Sequence, residues 1–118
     1  MEDLKNMLSN VDGTGLMVNK CLKETAESRN LVIFGAGVGG EKLYRLLKNN
    51  GLEDRVLAWS DNNTLKFGRW YMEERLHVIP PDELYERYGD DLVIFVASSA
   101  FDLIKKQLLG YGFMPENI

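Results

Sequence analysis

The feature that most constrains this chain is a short apolar run that leads directly into a glycine-rich loop. Residues 31–34 read LVIF and residues 35–40 read GAGVGG, after which apolar residues recur at helical spacing from Leu43 to Leu47. An apolar run without alternation is typical of a strand that is covered on both faces of a sheet. The sequence therefore predicts a buried strand, a tight glycine turn and a helix.

Strands and helices continue to alternate after this unit. Further strands are predicted at residues 56–59, 76–79, 92–97 and, at the end of the sequence, 112–114. Helices are predicted from Pro81, because proline is favoured in a first helical turn, and over residues 100–109. This alternation is typical of an α/β fold with a doubly wound parallel sheet, Rossmann-like, with about five strands in the order 3-2-1-4-5.

Residues 1–30 have a different pattern from the rest of the chain. Apolar residues recur at helical spacing from Leu4 to Val11, and again over residues 16–27 after a break that contains two glycines. We therefore expect a helical N-terminal extension at residues 1–30 and a Rossmann-like nucleotide-binding domain at residues 31–118. Because the last predicted strand barely begins, a fragment or a module of a larger protein is expected.

The glycine loop matches the pattern G-x-G-x-x-G. In that pattern the first glycine allows a tight turn, the second lets the backbone approach a diphosphate, and the third lets the helix pack closely on the strand. The N-terminus of the following helix then presents free N–H groups to the phosphates. A plain alternative is a glycine turn that only tightens the junction between strand and helix. The predicted ligand-binding residues of the loop are Gly35, Ala36, Gly37, Val38, Gly39 and Gly40.

Asp61 lies 21 residues beyond Gly40, at the end of the second predicted strand. A carboxylate at this place can accept hydrogen bonds from the ribose hydroxyls of an adenosine, and Asn62 follows it. Asp61 would repel a 2′-phosphate, which favours NAD over NADP, although Lys66 can reach the same region. The alternative is that Asp61 is an ordinary turn residue.

Ser98 and Ser99 follow the fourth predicted strand, at the switch point of the sheet where ligands bind in such folds. They are predicted either to contact the ligand or to cap the next helix, and one serine can do each.

Composition excludes several other kinds of function. The net charge is −4, and the largest run of basic residues is the pair Lys105-Lys106, so nucleic acid is not expected as a partner. One cysteine and one histidine exclude an internal disulfide, a cysteine metal site and a multi-histidine metal site. No apolar run approaches the roughly 20 residues of a membrane span, and the acidic N-terminus is unlike a secretion signal, so a cytoplasmic protein is expected.

Two single features of the sequence resemble catalytic groups but do not predict catalysis here. Tyr44 and Lys48 form the pattern Y-x-x-x-K, which short-chain dehydrogenases use for proton transfer, but here it lies on the helix directly after the glycine loop. At that place the spacing is simply one face of a helix. His77, the one histidine, is expected beside the sheet edge. The sequence thus predicts no catalytic residue and no metal ligand.

An aromatic cluster lies between the second and third predicted strands. It comprises Phe67, Trp70, Tyr71 and Met72. These side chains can stack on a base, cover the sheet edge or meet another subunit, and edge packing is the preferred interpretation.

Four motifs together resemble a known kind of domain. They are VIFGAG at residues 32–37, WSDNN at 59–63, VIPPDEL at 78–84 and IFVASS at 94–99. They resemble the small Rossmann-type domains of bacterial surface-glycan and sugar-nucleotide enzymes, found ahead of FkbM-type methyltransferases, ahead of amino-sugar acyltransferases and in nucleotide-sugar 4,6-dehydratases. The resemblance implies that Gly35, Gly37, Gly40 and Asp61 contact a nucleotide beside Ser98 or Ser99. The segment from Gly68 to Val78 is longer than the pattern.

The leading hypothesis is a module that binds NAD, NADP or a nucleotide-sugar, from a protein of cell-surface polysaccharide metabolism. This segment alone is not expected to catalyse a reaction, which a missing second domain would carry. One alternative is a segment of an S-adenosylmethionine-dependent methyltransferase, although Phe34 stands where many such enzymes carry an acid. The other is a structural module with an empty pocket that forms a homodimer.

Overall fold

The computed structural model describes residues 30–89 and 91–118. The predicted N-terminal extension therefore lies outside the described residues, except for Asn30. The strands are β1 (Asn30–Phe34), β2 (Val56–Ser60), β3 (Trp70–Tyr71), β4 (Glu73–Ile79) and β5 (Leu92–Val96). The helices are α1 (Val38–Asn49), α2 (Leu84–Tyr88) and α3 (Phe101–Gly110), and short 3-10 turns occur at Glu53–Arg55, Thr64–Lys66, Pro81–Glu83 and Pro115–Asn117.

The five strands form one sheet in the order β3-β4-β2-β1-β5. β1 lies at the centre and pairs in parallel with both β2 and β5, and β2 pairs in parallel with β4. The four parallel strands therefore have the order 3-2-1-4 when numbered among themselves. This confirms the predicted doubly wound α/β fold, and it places the ends of β1 and β5 side by side.

The two faces of the sheet are both covered. Leu31, Ile33 and Trp59 pack beneath α1, whereas Val32 and Phe34 belong to the cluster of the opposite face, which includes buried residues of α2 and α3. All five residues of β5 are buried. Burial on both faces explains why the central strands are unbroken apolar runs and show no alternation.

The predicted fifth parallel strand at residues 112–114 is wrong. Gly112 has a φ of +116° and turns the chain, and a 3-10 turn begins at Pro115, which has no N–H to donate to a ladder. The side-chain amide of Asn117 donates to the carbonyl of Leu92 at 2.8 Å, so this segment lies beside β5 without pairing as a strand. The fifth strand of the sheet is β3, which is antiparallel to β4 at the other edge.

The connection from β2 to β4 contains no α-helix. It consists of the turn at Thr64–Lys66 and the short hairpin of β3 and β4, in which Met72 has a φ of +68°. Residues 61–69 lack apolar residues at helical spacing, which explains why no helix forms there. As a result, this crossover places no second helix of the described residues beside α1.

Candidate functional site

The first and third glycines of the loop are required by packing. Gly35 has a φ of +117°, and a Cβ there would lie 2.8 Å from the carbonyl oxygen of Ala97. A Cβ on Gly40 would collide with the carbonyl of Gly35 and lie 2.7 Å from Cζ3 of Trp59. Both positions therefore exclude a side chain in the folded domain. This agrees with the structural part of the predicted glycine pattern.

For the second glycine, Gly37, no packing contact with the described residues requires a glycine. Gly37 has an extended backbone, with φ −150° and ψ −158°, which any residue adopts. A Cβ built on Gly37 would meet no atom of residues 30–89 or 91–118 within 4 Å, apart from the residues next to it in the chain. The open space in front of Gly37 is therefore where a bound group can approach the backbone.

The loop and the first turn of α1 carry backbone N–H groups that are available to a ligand. Within the described part of the chain, no acceptor takes the N–H of Gly37, Val38 or Gly39. The first turn of α1 has no side-chain cap, and its first intrahelical bond runs from the N–H of Glu41 to the carbonyl of Gly37. Unpaired N–H groups and the positive end of the helix dipole together favour an anion.

Two side chains hold the peptide groups of Ala36. Its N–H donates to Oδ2 of Asp61 at 2.9 Å, and its carbonyl accepts a hydrogen bond from Nζ of Lys66. Because a peptide group is planar and trans, the N–H of Gly37 points away from the carbonyl that Lys66 holds. The loop is thus fixed in one orientation before any ligand binds.

Asp61 is placed at the loop, as the sequence predicted, and part of its role is structural. Its Oδ1 accepts from the N–H of Asn63 at 2.8 Å, which is the turn contact that the plain alternative expected. Nζ of Lys66 lies 3.8 Å from Oδ2, and 19% of the Asp61 side chain is exposed. Each carboxylate oxygen can accept more than one hydrogen bond. Asp61 can therefore hold the loop and still accept from a hydroxyl group.

A cavity of about 290 Å³, here called the switch-point cavity, lies where the ends of β1 and β5 meet. It brings together four of the predicted residues, Gly35, Asp61, Asn62 and Ser98, with apolar side chains of α3. Leu103 is 73% exposed at its rim and Ile104 is nearly buried. The cavity therefore combines one apolar wall with polar groups at one end.

The two serines differ in position. Ser98 is half-buried, lines the switch-point cavity and accepts a hydrogen bond on Oγ from the N–H of Ala100 at 3.1 Å. Ser99 is exposed and does not line that cavity. The capping position of α3 is Ala100, which has no side-chain cap. Ser98 thus stabilises the turn before the helix, and its own hydroxyl hydrogen stays available to a ligand.

Gln107 was not found from the sequence. Its amide exchanges two hydrogen bonds with the amide of Asn62, at 2.8 and 3.0 Å, and it also donates to the hydroxyl of Tyr111 at 3.0 Å. Asn62 and Gln107 lie 45 residues apart in the chain, so no local pattern marks the pair. Only the packing of α3 against the end of β2 brings them together.

A second cavity of about 340 Å³, here called the hairpin cavity, lies on the other side of the glycine loop. Its walls include Gly37 and Val38 of the loop, and Lys66, Arg69 and Trp70 from the connection between β2 and β4. Trp70 is 56% exposed. The sequence did not predict this cavity, because it exists only where the helix of a regular crossover is missing.

The aromatic cluster divides between two roles. The ring of Tyr71 packs edge-on against Trp59, with ring centroids 4.9 Å apart, and its hydroxyl donates to Glu41 at 3.2 Å. Burial and the Glu41 carboxylate raise the pKa of Tyr71. Phe67 and Met72 are partly buried against the same core. The preferred edge-packing interpretation is thus confirmed for these three, whereas Trp70 stays exposed.

Tyr44, Lys48 and His77, which the sequence did not predict to be catalytic, do not line the two cavities beside the glycine loop. Tyr44 is buried, with its ring centroid 5.9 Å from that of Trp59, and burial, followed by Glu73, raises its pKa. Lys48 and His77 are exposed. Among residues 30–89 and 91–118, no three His, Cys, Asp or Glu side chains are grouped as a metal site would need. None of the described helices is long and apolar enough to span a bilayer.

A larger cavity of about 580 Å³ lies beside β4 and α2. Its two arginines are already engaged. Arg75 donates to the carbonyls of Val56 and Glu53, and Arg87 pairs with Glu83 at 3.1 Å. Volume alone does not make this cavity the better candidate, because the free backbone donors and Asp61 are all at the glycine loop.

Comparison with known proteins does not assign this chain to a family. No family model matches the chain, and no curated protein matches it. One similar solved structure is titled "Crystal structure of RSP in complex with beta-NAD+ and operator DNA", with 16% sequence identity and a TM-score of 0.48. The match covers 81% of this chain and 48% of that one, so the chain spans about half the length of that protein. At this level the likeness does not bear on function, and the Rossmann-like architecture rests on the strand order.

Proposed function

We propose that this domain binds a nucleotide through its diphosphate, which the N–H groups of Gly37, Val38 and Gly39 hold. The observation that carries the proposal is the contrast among the glycines. Gly35 and Gly40 are needed for packing, whereas Gly37 faces open space beside donors that have no acceptor in the described chain. A phosphate that accepts from these donors satisfies both features.

The nucleoside then lies in the switch-point cavity. A ribose beside Gly35 can donate its hydroxyls to Asp61, which lines the same cavity. The base lies against Leu103 and Ile104, with the amides of Asn62 and Gln107 at its edge. At about 290 Å³ this cavity is near the lower end of small-molecule sites, which suits one nucleoside.

NAD, NADP and nucleotide-sugars are the ligand classes that fit this arrangement. Lys66 lies 3.8 Å from Asp61 and offsets its charge, so the acid by itself no longer favours NAD over NADP. S-adenosylmethionine gains no support, since Phe34 is buried in the core at the position where an acid would be expected. The role in surface-polysaccharide metabolism rests on the resemblance of the motifs alone.

The domain acts in this proposal as a binding module. The described residues that line the two cavities beside the glycine loop include no histidine and no cysteine. Their groups of acid–base type are Asp61, Lys66 and Tyr71, which already make hydrogen bonds to Ala36 or Glu41. General acid–base chemistry requires a proton donor or acceptor beside the reacting atom. We therefore assign residues 31–118 to nucleotide binding and any reaction to a further part of the protein.

Thermal unfolding with NAD, NADP, ADP, UDP-sugars and S-adenosylmethionine tests the proposal. A ligand at 100 times its Kd adds about 2.7 kcal/mol and raises Tm by several degrees in a domain of this size. Gly37→Leu should keep the Tm of the free domain and abolish the shift. The matched control is Gly110→Leu, which also places a side chain in open space but far from the loop.

Two results would overturn the proposal. One is a Gly37→Leu variant that binds as tightly as the parent, which would place the phosphate elsewhere. The other is no shift with any nucleotide at millimolar concentration, which would favour a structural module with an empty pocket.

A further inference from the structure

The two cavities beside the glycine loop lie on opposite sides of it. The switch-point cavity is bounded by Gly35, and the hairpin cavity by Ala36, Gly37 and Val38. Each cavity alone is near the lower end of the size that small-molecule sites have. A diphosphate on the N–H groups between them therefore has room for one substituent on each side.

The floor of the hairpin cavity is rigid. The carbonyl of Tyr71 accepts from the indole N–H of Trp59 at 2.9 Å, and the Tyr71 hydroxyl donates to Glu41. On the wall, two backbone bonds of 2.9 Å tie Gly68 and Arg69 to Val78. The cavity thus exists in the free domain and does not need to be formed by a ligand.

The charged groups at this cavity differ in how far a neighbouring group compensates their charge. Lys66 is held by the carbonyl of Ala36 and lies near Asp61, so its charge is partly compensated. Glu41 is engaged by Arg45 and by the Tyr71 hydroxyl. Arg69 makes no ion pair or side-chain hydrogen bond with any described residue, and it lines the cavity beside the exposed ring of Trp70. Among the described residues, the cavity therefore presents a positive charge without a counter-ion next to an exposed aromatic ring.

We propose that the hairpin cavity binds the group on the far side of the ligand's diphosphate, and that this group is a ring bearing a carboxylate or a phosphate. The proposal rests on the proposed nucleotide-binding function. Trp70 stacks on the ring, and Arg69, with Lys66 behind it, pairs with the anion. Charge-assisted hydrogen bonds from a guanidinium to a carboxylate or phosphate are among the stronger polar contacts.

The same charges select against a cationic ring. The pyridinium of NAD⁺ would lie beside Arg69 and Lys66, and no acid is among the described residues that line this cavity, whereas a neutral dihydropyridine or a sugar acid would not be repelled. Because an anion also pairs with Arg69, the ligand that this cavity favours is a nucleotide whose second half is anionic, such as a nucleotide-linked sugar acid.

Two matched ligand pairs test this charge preference by calorimetric titration. UDP-glucuronate and UDP-glucose differ only in one carboxylate, and NADH and NAD⁺ differ in the charge of one ring. In whichever series binds, the more negative member should bind at least about 10-fold tighter. Arg69→Gln should reduce that ratio to about 2-fold or less, while Arg55→Gln, an exposed arginine in another turn, should leave it unchanged.

The two tryptophans of the chain provide a direct test of stacking. Trp59 is fully buried and Trp70 is 56% exposed, so acrylamide quenching of fluorescence reports mainly on Trp70. UDP-glucuronate should reduce the quenching at least 2-fold and UDP alone should not. In Trp70→Phe the quenching should be low with or without ligand.

The outcomes separate the two proposals. If nucleotides bind but the matched ligands bind equally, or Trp70 stays as accessible as before, the hairpin cavity is not the second subsite and the proposed function stands. If no nucleotide binds at all, both proposals fail.

Discussion

The backbone N–H of Ala36 donates to Oδ2 of Asp61 at 2.9 Å across 25 residues of sequence. The glycine loop and the acid after β2 are therefore one unit in the folded domain. The sequence suggested them as two separate contacts to one ligand. In the structure, the acid also sets the orientation of the loop on which the ligand depends.

Asp61→Ala should therefore affect both stability and binding. The substitution leaves the N–H of Ala36 without its acceptor and removes the countercharge of Lys66. We expect a loss of about 1–3 kcal/mol in the free energy of unfolding, measured by urea denaturation, together with loss of nucleotide binding. Asp61→Asn keeps one carbonyl oxygen and should cost less. Equal stability of the alanine variant and the parent would show that the bond to Ala36 does not hold the loop.

Glycines 37 and 40 should respond in opposite ways to alanine. Gly40→Ala places a Cβ against the carbonyl of Gly35 and the ring of Trp59, which should lower the free energy of unfolding by about 1–3 kcal/mol or more. The Cβ added by Gly37→Ala contacts no described residue, so this variant should change the free energy of unfolding by less than about 0.5 kcal/mol. The urea midpoints of the two variants check this, and a similar loss in both would contradict the assignment of a packing role to Gly40 and none to Gly37.

Lys66 should matter more for binding than for folding. Its side chain is 39% exposed, so Lys66→Met should change stability by less than about 1 kcal/mol. The carbonyl of Ala36 would lose its donor, and the N–H of Gly37 would no longer be held outward. We expect nucleotide affinity, measured by calorimetry, to fall by about 5- to 30-fold. Lys48→Met, on the exposed side of α1, is the control and should bind as the parent does.

Alkaline pH should destabilise the domain through Tyr44. Burial raises its pKa above the ordinary value of 10.0, so the folded state holds the phenol proton more tightly than the unfolded state does. This contribution to stability is complete below pH 10 and is lost as pH rises above it. Tyr44→Phe should show a smaller decline in urea midpoint between pH 9 and 11 than the parent. Tyr71 and Tyr88, whose pKa values are also raised by burial, contribute to the decline that remains.

The parts of the fold that the sequence predicted are those specified by local pattern. The run from Leu31 to Phe34, the glycines behind it and the apolar face of α1 are contiguous, so strand, turn and helix could be read together. The order of the parallel strands followed from the handedness of the crossovers. The first prediction depends on residues that are neighbours in the chain, and the second on a general rule for connections between parallel strands.

The parts that were missed depend on contacts between distant residues. Gln107 reaches Asn62 only because α3 packs on the far face of the sheet. Trp70 and Arg69 form a cavity only because a hairpin replaces a helix after β2. The fifth strand was wrong because Gly112 and Pro115 end the extended path, although the residues between them are compatible with a strand.

The hairpin also bears on how the protein behaves at high concentration. An open sheet edge exposes unpaired backbone groups that another chain can join. Here β3 is only two residues long, and residues with positive φ stand on both sides of it, Gly68 at +77° and Met72 at +68°. That edge offers no straight row of donors and acceptors to a neighbour. The same irregularity that opens a cavity beside the glycine loop thus protects this side of the sheet from aggregation.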